Sequence, residues 1–247
     1  MKKFLPLILF VVGLAVFVTA YFVFIRGKKA QNIGEEGGGT VAVEVALGDR
    51  PVTSLTPSSD GHWLKLKIDK IKIKADSLDY ELLYELPDGR TQGVPGTIKL
   101  GSQVSIERDL LLGSESSGKF RYDEGVREGN LTLRFRNNEG KLVAKFATKF
   151  HLQSKTNSLA SLEGNFSYNL TKVPTKTFFV TMQTFGIGSS APAEIKEGPY
   201  GVFSSIKDSA SGKVTMNSST IYRWDGSSWT KLSSGTASGV GIFIGTQ

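Results

Sequence analysis

Two hydrophobic patterns divide this chain. From Phe4 to Ile25 the sequence reads FLPLILFVVGLAVFVTAYFVFI, without a charge. Beyond it, apolar residues recur at every second position in short runs broken by Gly, Pro, Ser and Asn. An uncharged run of about twenty residues spans a bilayer core as a helix, because in lipid the backbone must satisfy its own hydrogen bonds. The first pattern therefore predicts a transmembrane signal-anchor over 1–25, with the lipid bilayer as its partner through Phe4–Ile25. A cleavable signal is the rival reading, since Lys2 and Lys3 precede the run and Val18-Thr19-Ala20 resembles a cleavage site. The apolar run continues past that site to Ile25, longer than the about 7–15 residues of a signal core. The anchor is thus the expectation.

The second pattern predicts strands. Residues 26–39 read as a flexible polar spacer ending in Gly37-Gly38-Gly39. A first β-like run is expected at Thr40–Leu47, then a loop from Pro51 to Gly61. Trp63 to Lys74 is the clearest strand: Leu64, Leu66 and Ile68 alternate with lysines, and the phase then slips to Ile71 and Ile73, which suggests a bulge at Asp69-Lys70. Leu78–Leu86 alternates again, and Pro87-Asp88-Gly89 reads as a turn. Further strands are expected at 97–100, 104–112, 119–122, 131–135 and 142–150, with Asn137–Gly140 closing a hairpin. Short strands at this spacing predict an immunoglobulin-like β-sandwich over 40–152. Residues 153–164, rich in Ser, Asn and Lys, read as a linker. A second β domain, rich in Gly, Ser and aromatics, is expected over 165–247. The predicted fold class is thus an all-β body of two domains behind one transmembrane helix.

Composition narrows the chemistry. The chain has no cysteine, which excludes disulfides, thiolate metal sites and cysteine nucleophiles. The net charge of +7 is spread along the chain: residues 39–152 hold seventeen basic and sixteen acidic residues. No segment concentrates the positive charge that tracks a phosphate backbone, so no nucleic-acid partner is expected. Basic residues flank the apolar run on both sides and leave its orientation nearly balanced. The secretory character of the N-terminus and the β-rich body favour an extracytoplasmic body, at the cell surface or in the periplasm.

Chemical motifs are sparse. Gly113 to Lys119 matches GxxxxGK, but Phe120 follows where a phosphate loop needs Ser or Thr and a helix. Gly186 to Ala191 matches GxGxxA without βαβ surroundings. Five lysines between Lys65 and Lys74 suit a solvated or edge strand better than an anion site. His62 and His151, the two histidines, lack metal-ligand spacing. A Ser-His-Asp site would need one of them beside a serine and a carboxylate in space. No catalytic residue, metal or cofactor is expected. Tyr222, Trp224 and Trp229 are the candidate binding surface: period two places Tyr222 and Trp224 on one face, and the turn at Asp225–Ser228 returns Trp229 toward them. Exposed, they would stack on a sugar or a protein partner; buried, they would centre the second domain. The expected role is non-enzymatic, a structural or interaction part of the cell envelope. The alternative is a carbohydrate-binding or adhesion module.

Overall fold

The computed structural model describes residues 44–206 and 210–247. The expected anchor and spacer lie outside the described residues. Among the described residues, no helix is long and apolar enough to cross a membrane.

After a single 3-10 turn (Leu47–Asp49), the described chain is built from strands: β1 (Val52–Pro57), β2 (Trp63–Asp69), β3 (Ser77–Glu85), β4 (Thr91–Lys99), β5 (Ser105–Leu111), β6 (Gly113–Ser116), β7 (Lys119–Tyr122), β8 (Glu128–Arg136), β9 (Leu142–Ser154), β10 (Ser158–Ala160), β11 (Phe166–Leu170), β12 (Phe178–Gln183), β13 (Glu197–Ser204), β14 (Gly212–Met216), β15 (Thr220–Trp224), β16 (Trp229–Lys231), β17 (Thr236–Ala237) and β18 (Gly241–Thr246). The all-β expectation holds for these residues. Nine strands form one large sheet in the order β16-β15-β18-β13-β12-β9-β8-β3-β4. A three-stranded sheet, β1-β2-β5, and a four-stranded sheet, β10-β11-β14-β17, accompany it.

Burial explains how these layers meet. Alternating Leu64, Leu66 and Ile68 of β2 point into a first cluster, against Leu78 and Leu82 of β3, Leu131, Leu133 and Phe135 of β8, and Val180 and Met182 of β12. A second cluster joins Phe166 and Tyr168 of β11 and Val214 of β14 to Tyr200, Val202 and Phe243 of the large sheet. Phe179 belongs to the second cluster and Val180 to the first. Adjacent strand residues point to opposite faces, so the two smaller sheets cover opposite faces of the large one. At β12, where they overlap, Phe179 to Met182 are all buried. Strand β9 pairs with β12 from Phe178↔Ser154 to Met182↔Phe150 and so joins the first cluster to the strand where the two clusters meet.

Several expectations are corrected. The described end of the Thr40–Leu47 run is not a strand. The first strand is instead β1, inside the segment read as a loop; Thr53 and Leu55 alternate inward. Pro57, its last residue, is tolerated because β1 lies at the edge of its sheet. The phase slip after Ile68 is not a bulge: Lys70 adopts a left-handed φ of 57° and ends β2. That strand is central in its sheet, so its lysines line a solvated face rather than guard an edge. Lys65 pairs with Asp109 at 3.4 Å and Lys67 with Asp69 at 2.9 Å. The segment 153–164, read as a linker, holds the end of β9 and all of β10.

Candidate functional site

The strands β6 and β7 form a two-stranded hairpin of their own. Ser117 and Gly118 both take positive φ, 52° and 75°, the backbone of a tight turn that follows the twist of the strands it joins. The GxxxxGK segment is therefore a hairpin, with Ser116 paired to Lys119 across the turn. All four residues of β7 are exposed, and alternation puts Phe120 and Tyr122 on one face of the strand. They remain 45% and 38% exposed, whereas large apolar side chains elsewhere in the strands are mostly buried.

This hairpin is rooted in the loop before β2. The Leu112 N–H donates to the His62 carbonyl at 2.8 Å, and the Asp123 N–H donates to the Leu112 carbonyl at 3.0 Å. The His62 ring stacks on Tyr122, with centroids 4.2 Å apart and planes 6° apart. Phe120 lies parallel to Tyr122 at 6.3 Å, and the Trp63 ring meets Phe120 edge-on at 5.5 Å. The result is a file of aromatic rings along the side of the molecule. Nothing in the spacing of these residues announces it, because the contacts join the start of β2 to β7, more than fifty residues apart.

His62 also lies between two carboxylates. Its Nδ1 lies 3.5 Å from an Asp60 carboxylate oxygen and its Nε2 3.3 Å from Glu124. Asp60 is itself fixed: the Ser58 hydroxyl and the His62 backbone N–H donate to its carboxylate, and the Ser58 bond, ahead of the others, holds its carboxyl below the ordinary value of 3.8. Burial, and then the 2.8 Å bond it donates to Asp123, push the Tyr84 phenol well above its ordinary range.

A cleft of about 480 Å³ opens beside this loop, and both histidines line it. His151 lies on β9, with Nδ1 2.9 Å from the Ala160 carbonyl of β10. The cleft thus sits where the β10 layer meets the first sandwich. Neither histidine has a serine hydroxyl among its bonded partners, so the serine–histidine arrangement does not form among the described residues. No group of three or more His, Asp or Glu there is placed to hold a metal ion.

Tyr222, Trp224 and Trp229 sit on β15 and β16, at one end of the large sheet, and all three are partly buried. Trp224 pairs with Trp229. Their rings lie 5.4 Å apart at 51°, a tilted pair rather than a flat platform. The loop at Gly188 lies against Trp224, where a Cβ would come 2.3 Å from the indole nitrogen. This loop is the GxGxxA segment, which forms no helix. The Trp229 indole N–H is buried without a partner.

The fold and these surfaces define an all-β protein whose sheets stack as sandwiches, with one projecting aromatic hairpin and one polar cleft. No known protein family matches the chain, and no curated protein or solved structure matches it either.

Proposed function

We propose that this chain is a single-pass membrane-anchored protein that holds a non-catalytic β body outside the cytoplasm and binds a component of the cell envelope. The apolar run Phe4–Ile25 and the Gly-rich spacer support the tether. The observation that carries the binding role is the exposed Phe120–Tyr122 face of the β6–β7 hairpin. Single exposed apolar residues are ordinary, but an aromatic file stiffened by stacking and projected on its own hairpin is the composition of a recognition surface.

We read the first half as immunoglobulin-like in connectivity. Strands β1-β2-β5 correspond to an A-B-E sheet and β4-β3-β8-β9 to a C′-C-F-G sheet, and the hairpin is an insertion between E and F. The carbohydrate-binding alternative draws support from the partly exposed Tyr222, Trp224 and Trp229.

The test compares the full chain with a Phe120→Ser, Tyr122→Ser variant, both carrying a C-terminal tag, in intact and lysed cells. External protease should remove the tag without opening the cytoplasmic membrane, and the detergent-solubilised variant should lose the retention on washed, lipid-stripped envelope fragments that the solubilised parent shows, while keeping its melting temperature. Protection until the cytoplasmic membrane is opened overturns the orientation. Equal retention of both chains overturns the hairpin as the binding surface.

A further inference from the structure

The cleft shares only His62 with the aromatic file, and its lining is chemically mixed. Asp60 and Glu124 stand on one side; Arg127 and Lys155 also line it, and among the described residues neither cation's side chain has an ion-pair or hydrogen-bond partner. An anionic ligand would meet the carboxylates, including Asp123, and a cationic one would meet Arg127 and Lys155. A neutral ligand that both donates and accepts hydrogen bonds suits every group. Hydroxyls do both.

Two further features fit a hydroxylated ring. Phe178 lines the cleft and is partly exposed, an apolar surface for the C–H face of a sugar. It lies against Gly61, where a Cβ would come 2.5 Å from the ring; any larger residue would push the ring aside. His151 has Nδ1 engaged by the Ala160 carbonyl, so in the neutral ring that nitrogen carries the proton and Nε2 is an acceptor. Nε2 has no partner among the described residues. The volume, about 480 Å³, lies within the usual span of small-ligand sites.

We propose that this cleft is a saccharide subsite that takes a neutral sugar ring between the β10 layer and the first sandwich. The proposal rests on the reading of the protein as a binding module and names its ligand class. It places the sugar away from the Trp224–Trp229 pair.

The two histidines of the chain both line the cleft, so their imidazole C–H signals make a complete reporter in an NMR spectrum of the full chain. Micelles of a phosphocholine detergent avoid the sugar headgroups of glycoside detergents. His62→Gln and His151→Gln assign the two signals. Maltotriose, cellotriose and the trisaccharide of N-acetylglucosamine are the probes. The expected result is saturable movement of both signals with at least one probe, weakened severalfold by Glu124→Gln or Arg127→Gln at unchanged melting temperature. No movement with any probe up to its solubility overturns the proposal. So does movement that neither substitution weakens, or movement of Trp224 and Trp229 signals instead. The envelope-retention comparison reads the hairpin separately. Retention lost on the serine variant, with silent histidines, leaves the binding module standing and removes the saccharide.

Discussion

Replacing Phe179 by alanine tests whether the two clusters fold as one. Phe179 is 1% exposed and packs in the second cluster, while Val180, its neighbour on β12, packs in the first. Truncating a fully buried Phe costs about 3–5 kcal/mol from lost transfer energy and the cavity left behind. In a body of this size each kcal/mol lowers the melting temperature by roughly 2–4 °C, so the expected fall is roughly 6–20 °C. The chain supplies its own probes. Trp63 lies on β2 in the first sandwich, and Trp224 and Trp229 lie at the far end of the large sheet. One background keeps only Trp63 (Trp224→Phe, Trp229→Phe) and the other keeps only the pair (Trp63→Phe). Thermal melts followed by fluorescence in each should fall by the same amount, because β9 and β12 share a ladder and both faces of β12 are buried. Val180→Ala, which removes two methyl groups at about 0.8 kcal/mol each plus a cavity term, should also lower both melts together. If Phe179→Ala lowers the Trp224–Trp229 melt while Trp63 melts at its parent temperature, the continuous sheet does not couple the clusters and the reasoning fails.

Two further predictions concern pH. Asp225 caps the β15–β16 turn: the N–H groups of Ser228 and Ser227 and the Ser227 hydroxyl donate to its carboxylate. The Ser228 bond, then those from Ser227, hold its carboxyl down to about 2, from an ordinary 3.8. A depressed carboxylate contributes order that is complete above the ordinary value and lost as pH falls through the folded one. The near-ultraviolet circular dichroism of the Trp224–Trp229 pair should therefore fade between about pH 4 and pH 2, and in Asp225→Ala it should be weak at every pH. At the alkaline end, burial pushes the Tyr168 and Tyr200 phenols up to about 12. The folded state holds them neutral, so their contribution is complete below about pH 10 and lost as pH rises through about 12. Phenolate absorbance should show their ionisation arriving together with unfolding, and Tyr168→Phe should remove part of that late rise; ionisation at pH 10 with the fold intact would refute it.

The legibility of the fold followed the physics of each strand. Segments such as β3, β8 and β11 have one face buried and one solvated, so their alternation shows directly. Strand β12 reads as a continuous apolar run because both its faces are covered. β1 was hidden by Pro51 just before it and Pro57 at its end, which an edge position permits. The three residues of β10 are too few for a periodic signal, and they sit in a Ser-rich stretch that composition marks as a connection. The site was less legible. The aromatic character of Trp224 and Trp229 can be read from the chain, yet their tilt and the covering loop at Gly188 depend on tertiary packing. The file of His62, Tyr122 and Phe120 and the cleft beside it arise from segments distant in sequence, and no local pattern encodes them.

Strand β18 has a consequence for the order of assembly. It lies between β13 and β15, bonded to both, although it follows them in the chain. Until Gly241–Thr246 is in place, the hairpin of β15 and β16 has no ladder to the rest of the large sheet, and β13 presents an open edge. The second cluster also waits for Phe243, which supplies part of its centre. The first sandwich waits less long: the three-stranded sheet and β3, β4, β8 and β9 are all complete by Ser154, and its cluster then needs only Val180, Met182 and Phe185. The order of synthesis thus supplies the half that carries the hairpin and most of the cleft first, and the remaining half completes its ladder only when Gly241–Thr246 is added. A growing chain would carry the open β13 edge for the time needed to make about forty residues, seconds at ordinary synthesis rates, and that interval is when a chaperone has the most to protect.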